Sequence, residues 1–259
     1  MSELHFFDSH AHILGEEFDE DRMEMLDKCA NKHVDRIMII TLSNDECRQA
    51  IEYARKDPQR FQVACGIFPL DVEKVTDEYW NEFVELVKQD EVFAIGEIGL
   101  DYYWEKDEEK RELQKEFFIK QIELAKSINK PILVHSRDAI QDTYNIMKEH
   151  QTKGLLHCFP GSIEMANEFT KLGYYIALGG PCTFKNARHA KEVVKDIDLK
   201  YLLTETDSPY MAPEPVRGTR NDPSNIPYIA QKMADIREMS LEEMANILND
   251  NYTRFLEGK

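Results

Sequence analysis

Eight short apolar, β-branched runs recur along the chain, and each is followed by a longer stretch of helical periodicity. The runs are His5–His10, Val34–Ser43, Phe61–Ile67, Val92–Leu100, Pro131–His135, Gly154–Phe159, Tyr174–Gly179 and Tyr201–Thr206, with starts about 20 to 40 residues apart. In the gap after the fourth, Asp107–Asn129 places Leu113, Phe117, Ile122 and Leu124 on one expected apolar face. Strand then helix, eight times in 259 residues, predicts one (β/α)8 TIM barrel domain spanning 1–259. A doubly wound open sheet would more typically carry a Gly-rich phosphate turn after the first strand. Here that place reads Asp8-Ser9-His10-Ala11-His12. No Pro/Gly/Ser-rich linker divides the chain, and Ile226–Arg237 and Leu241–Leu256 are expected to complete the outer ring of helices.

Charge and composition narrow the function. The chain carries 32 Lys+Arg against 49 Asp+Glu, a net charge of −17. General electrostatic capture of nucleic acid is excluded, because phosphate affinity rests on Lys and Arg, but a local basic site is not. With 42% hydrophobic residues the chain can bury a full core. Apolar runs such as Ile37-Met38-Ile39-Ile40 end far short of the roughly 20 residues a membrane-spanning helix needs. Residues 1–13 hold His5, Asp8, His10 and His12 where a secretory leader has a basic start and an apolar stretch, so a cytoplasmic location is expected. Cys29, Cys47, Cys65, Cys158 and Cys182 are scattered singly without a Cys-x-x-Cys pair, which argues against a disulfide framework or a thiolate zinc site. The acidic stretch Glu16–Asp21 reads as a solvated loop and first helical turn.

The chemistry emerges when the polar residues at the ends of the runs are taken together. The first run ends with His10 and His12, the fourth with Glu97, the fifth with His135, the sixth with His157 and the eighth with Asp207. In a barrel these ends meet at one mouth, the face that holds active sites. Two residues apart on an extended chain, His10 and His12 point to the same side and can share an ion. Four imidazoles and two carboxylates exceed what one four-coordinate ion takes, and suit two divalent ions bridged by a carboxylate. Glu97, a charge inside an apolar strand, is costly unless paired or bound to metal. Taken singly, any of the eight histidines is an ordinary surface or core residue, and His5, His33, His150 and His189 are read that way. Glu205 and Asp207 alternate onto one side. Asp207, at the very end, is the expected ligand, and Glu205 the deeper partner that orients a ligand or water. Asp8 is expected to hydrogen-bond a histidine, and Asp101 stays open between a supporting partner and a helix cap.

With these residues assembled, the chain resembles the TatD family of metal-dependent hydrolases, TatD-type deoxyribonucleases of the amidohydrolase superfamily. The resemblance rests on Phe7-Asp8-Ser9-His10-Ala11-His12, Gly96-Glu97-Ile98-Gly99-Leu100-Asp101, Val134-His135-Ser136-Arg137-Asp138-Ala139, His157-Cys158-Phe159-Pro160-Gly161-Ser162 and Glu205-Thr206-Asp207-Ser208-Pro209-Tyr210. It implies that His10 and His12 hold one ion, that Glu97 bridges, and that His135 and His157 hold the second. Asp207 then completes the first ion's shell and serves in proton transfer. Arg217–Pro223 is similar to the family's Arg-Asn-x-Pro stretch; Pro160 and Thr219 depart from its pattern, the latter removing a possible phosphate contact. Where many amidohydrolases carry a carboxylated lysine, this chain has Glu97, a ready-made carboxylate.

The expected activity is metal-dependent phosphodiester hydrolysis, with Asp207 and Glu97 as catalytic residues and two divalent ions (Mg, Mn, Zn, Ni or Co) as cofactors. Arg137, Arg217 and Arg220 are the expected substrate contacts, the last two on a loop stiffened by Pro209, Pro213, Pro215 and Pro223; Lys185 and Arg188 are further candidates. Phe68, Tyr102, Tyr103, Trp104 and Tyr210 can stack on terminal bases. An acidic body around a small basic site favours an exonuclease on single-stranded or frayed DNA ends, acting as a monomer without an obligate protein partner. One alternative is a hydrolase of a carbon ester or amide, such as a D-aminoacyl-tRNA deacylase, with the same ligands. A second is a non-enzymatic metal-binding scaffold.

Overall fold

The computed structural model describes residues 4–258. Eight parallel strands lie side by side in sequence order: β1 (Phe6–Ala11), β2 (Val34–Thr41), β3 (Phe61–Cys65), β4 (Val92–Asp101), β5 (Ile132–Arg137), β6 (Gly154–Leu156), β7 (Tyr175–Leu178) and β8 (Leu202–Thr204). The ring closes just past β8, where the Asp207 N–H donates to the His10 carbonyl and the His12 N–H to the Ser208 carbonyl, both at 2.9 Å. Around it stand α1 (Arg22–Asn31), α2 (Asn44–Lys56), α3 (Asp77–Val87), α4 (Glu108–Ser127), α5 (Ile140–Glu149), α6 (Ile163–Lys171), α7 (Arg188–Asp196), α8 (Ile226–Arg237) and α9 (Leu241–Leu256). This is the expected (β/α)8 TIM barrel.

The local reasons are ordinary ones. Strands covered on both faces need near-continuous apolar side chains, and β3 is buried throughout. Helices start where a side chain can take an orphan N–H: Ser43 caps α2, Thr76 caps α3, Asp107 caps α4, and Ser240 with Glu243 forms a reciprocal cap on α9. The barrel floor is sealed by aromatic packing, with Phe7 stacked on Tyr252 of α9 at 4.1 Å. Among the described residues no helix is long and apolar enough to cross a membrane.

Strand ends and one helix face differ from the sequence reading. The third, sixth and eighth apolar runs extend through Ile67, Phe159 and Thr206, but β3 stops at Cys65, β6 at Leu156 and β8 at Thr204, because the backbone beyond turns to build the mouth. In α4 the fully buried positions are Gln114, Phe118, Gln121, Ile122 and Ala125, whereas Leu113, Phe117 and Leu124 are only partly covered. The buried stripe includes two glutamines, which hydropathy assigns to solvent.

Candidate metal centre

Two strand irregularities aim the central side chains. The pairing of β1 with β2 shifts between Asp8 and Ala11, and that of β4 with β5 between Ile95 and Ile98. Extra residues of this kind re-aim side chains at the rims of barrels, and these two carry His10 and Glu97. Gly99, at φ +143, makes the second possible, since a Cβ there would lie 2.0 Å from the His135 carbonyl oxygen. The mouth also holds Cys158 and Asp207 in the left-handed region, at φ 42 and 54, where non-glycine residues persist only if their surroundings fix them. Cys158 is fixed by its N–H, which donates to Glu205 Oε1 at 2.5 Å. Asp207 is fixed from both sides: Asp8 accepts from the Thr206 N–H at 2.9 Å, and Asn221 Nδ2 donates to the Thr206 carbonyl at 2.9 Å.

The six side chains meet around Glu97, whose two oxygens face different partners. Oε2 lies 3.4 Å from His10 Nε2 and 3.5 Å from His12 Nε2. Oε1 lies 2.9 Å from His135 Nδ1 and 3.2 Å from His157 Nε2. Asp207 Oδ1 is 3.7 Å from His10 Nε2 and 3.5 Å from His12 Nε2, and those two nitrogens are 3.3 Å apart. Ligands on a tetrahedral ion with bonds of ~2.1 Å stand about 3.4 Å from one another. The His10, His12, Asp207 and Glu97 distances are close to such edges, so this donor set fits a divalent cation. His135 and His157 share the other oxygen of Glu97 as its hydrogen-bond donors. His10, Glu97 and Asp207 are buried, while His12 and His135 are partly open to solvent.

Outer carboxylates hold the rings. Glu205 Oε1 lies 3.4 Å from His157 Nδ1, and Asp101 Oδ2 lies 3.2 Å from His135 Nε2. Asp101 Oδ1 accepts from the N–H groups of Tyr103 and Trp104, and α4 is capped by Asp107 instead, so Asp101 is the partner of His135. Asp8 takes the backbone N–H of His10 at 3.1 Å rather than an imidazole, because its carboxylate sits in the seam between β1 and the end of β8. Burial pushes Asp8 up to about 8 against these bonds.

The charges within the cluster are strongly coupled. Burial pulls His10 down. Burial also works against His157, but Glu205 and Glu97 overcome it and hold the ring well above the usual imidazole range. His12 and His135 are raised in the same way, against burial, by Asp207 and Glu97 and by Asp101 and Glu97. Burial would raise Glu97 and Asp207, yet the surrounding imidazoles keep both carboxylates low, Glu97 far below its ordinary range.

The mouth opens into a cavity of about 870 Å³ whose wall includes Phe68, Trp104, Arg137 and Tyr210, with Glu16 and Glu17 on the lip. Phe68 packs edge-on against His135 at 5.0 Å. The Arg137 guanidinium lies over the rings of Tyr103 at 4.0 Å and Trp104 at 5.7 Å. Arg217 and Arg220 are not among the described residues lining this cavity. Arg220 is clamped by both oxygens of Asp21 and by the Glu17 carbonyl, and Arg217 lies over Phe184 at 4.1 Å beside Glu214. The loop after β8 thus turns both arginines onto the protein. Arg188 is likewise paired, with Glu192, and Tyr102 donates its hydroxyl to Asp142.

A family model described as TatD related DNase matches residues 7–257. The chain belongs to the TatD family of metal-dependent hydrolases. It is 41% identical over 251 residues to the uncharacterized metal-dependent hydrolase YabD of Bacillus subtilis, covering 96% of this chain and 97% of that one. The crystal structure of YJJV, a TatD homolog from Escherichia coli, superimposes with a TM-score of 0.88 at 28% identity over 97% of each chain. An uncharacterized amidohydrolase from Saccharomyces cerevisiae shares the fold, with a TM-score of 0.82 at 19% identity, over 97% of this chain and 99% of that one. This TatD hydrolase thus carries a buried His, Glu and Asp cluster whose chemistry suits metal binding.

Sequence reasoning overlooked the two buried glutamines of α4. Gln114 Oε1 accepts the Asp101 N–H at 2.9 Å and its Nε2 donates to the Asp101 carbonyl. Two turns on, Gln121 grips the N–H and carbonyl of Ile67, just before Phe68. β3 ends at Cys65 while β4 runs on to Asp101, so these amides stand in for the missing strand and satisfy backbone groups that would otherwise be orphaned. Their spacing of seven on one helix is the signal that was available.

Proposed function

We propose that this TatD hydrolase is a deoxyribonuclease that removes nucleotides from single-stranded or frayed DNA ends, using two divalent ions that share Glu97. The observation that carries the reading is the division of four imidazoles, two to each oxygen of Glu97, at the floor of a cavity walled by Trp104, Tyr210 and Arg137. His10, His12 and Asp207 would hold one ion with Glu97, and His135 and His157 the other. Two such ions, when bound, acidify a water and neutralise charge on phosphoryl oxygens.

The chain's own groups do the rest. Asp207, held low by its imidazoles, stays ionised and can orient an attacking water and accept its proton. Arg137, fixed over two aromatic rings, meets a phosphate, and the exposed faces of Trp104 and Tyr210 meet terminal bases. Glu16 and Glu17 on the lip repel phosphates further along a strand, which favours an end over an internal site. It acts as a monomer without an obligate protein partner. Five free cysteines, four of them buried, suit a reducing cytoplasm.

The test is digestion of end-labelled single-stranded DNA with added Mg or Mn, by the wild type and by Asp207→Asn. Products shortening from one end, lost in the variant, support the reading. Intact DNA beside a full metal complement defeats it. The acidic lip favours one second reading: Glu16 and Glu17 can pair with the ammonium of an aminoacyl ester, as in D-aminoacyl-tRNA. Release of the amino acid from that substrate, with DNA left intact, would select it.

A further inference from the structure

A second group of side chains of metal-ligating type lies at the opposite end of the barrel, where the strands begin. His5 stands one residue before β1, and His33 and Asp35 flank the first residue of β2. His5 Nδ1 is 2.5 Å from Asp35 Oδ2, and the His5 and His33 rings meet edge to face at 5.8 Å. One donor atom from each of the three lies within 4.8 Å of the others. The backbone beneath them is fixed: the Phe6 N–H donates to the His33 carbonyl at 2.7 Å, Phe6 pairs with Val34, and Asn249 of α9 donates to the His5 carbonyl. His33 itself is set by its φ of 57, with its N–H on the Ala30 carbonyl at 2.9 Å. The adjacent cation, Arg36, is drawn away toward Thr253 and Asn249 and over the Tyr252 ring.

We infer that His5, His33 and Asp35 form a peripheral site for one borderline divalent cation of the zinc, nickel or copper type. Two imidazoles and a carboxylate select such ions over magnesium, and side-chain exposure of 56% at His5 and 44% at Asp35 leaves water to complete the shell. The ion clips the start of β1 to the start of β2, on the face of a barrel that serves stability rather than chemistry. None of the three residues lines the mouth cavity, so this site is independent of the hydrolytic one.

The test is a calorimetric zinc titration of the wild type and of the His5→Gln, His33→Gln double variant. The variant is expected to lose one zinc equivalent per chain and to keep its hydrolytic activity. Its melting temperature should fall below that of the wild type in excess zinc, and the two should coincide in EDTA. His5→Gln alone, an exposed change, replaces the double variant if the latter fails to fold. Equal zinc stoichiometry and equal zinc-dependent melting would overturn the proposal. So would magnesium raising the wild-type melting temperature above the variant's as effectively as zinc.

Discussion

Glu205→Gln isolates what an outer carboxylate does for the metal centre. Glu205 is fully buried and does two things with Oε1: it accepts the Cys158 N–H at 2.5 Å and faces His157 Nδ1 at 3.4 Å. Glutamine keeps the shape and can still accept from Cys158, so the loop at φ 42 is retained and only the charge beside His157 is removed. Partners of this kind make an imidazole a better ligand, and their loss costs about 10–100-fold in metal affinity, roughly 1.4–2.8 kcal/mol. An opposing effect acts at low pH. Glu205 and Glu97 hold His157 protonated against burial, so the wild type must shed that proton before an ion binds, whereas the variant sheds it more readily. The variant should therefore show the full loss at alkaline pH, a smaller loss as pH falls, and a shallower dependence of affinity on pH. Two-site calorimetry with Mn or Zn from about pH 6 to 9 reads all three. The ion on the His135 and His157 side should be affected and the one on the His10 and His12 side spared. Equal affinity at every pH, or a loss that grows toward acid, would refute the reasoning.

Other outcomes follow from the same geometry. Because His12, His135 and His157 are raised in the ion-free protein, metal affinity should climb with pH by up to about tenfold per unit for each proton expelled, with a calorimetric enthalpy that depends on the buffer; a pH-independent affinity would contradict this. Stability of the ion-free protein runs the other way: the His157 contribution is present below the ordinary imidazole pKa and fades as pH rises through the raised value. Gln114→Leu should leave the Asp101 N–H unpaired, cost about 1–3 kcal/mol in denaturant unfolding, and weaken the ion near His135; an unchanged midpoint would remove Gln114 from the account. Trp104→Ala should raise KM for single-stranded DNA by the ~1–3 kcal/mol of one stacked base, and Arg137→Ala should flatten the salt dependence by about one phosphate contact. Arg220→Ala, which breaks a half-exposed pair with Asp21, should leave the denaturation midpoint nearly unchanged and leave KM alone.

The barrel was legible in the sequence because a parallel sheet covered by helices needs eight apolar runs, and each run leaves its mark. Its ends were less so. β8 is three residues long because Asp8 and Asn221 pull Thr206 out of the ladder, and no local signal in Leu202–Thr206 reports on partners so distant in the chain. The six residues at the mouth stood out because imidazoles and carboxylates at the ends of apolar runs are costly without a purpose. The placement of the arginines in the loop after β8 was less legible for the opposite reason: a surface arginine carries no sign of where it points, and Asp21, nearly 200 residues away, takes Arg220. Gln114 and Gln121 escaped notice because hydropathy places an amide in water, whereas here each completes the edge of a strand.

Under the proposed function Glu97 would divide two ions between its oxygens. Anomalous diffraction from crystals grown with manganese tests it most directly. Two peaks per chain are expected, one among His10, His12 and Asp207 and one beside His135 and His157, with Glu97 between them. A single peak, or none within bonding distance of Glu97, would contradict it.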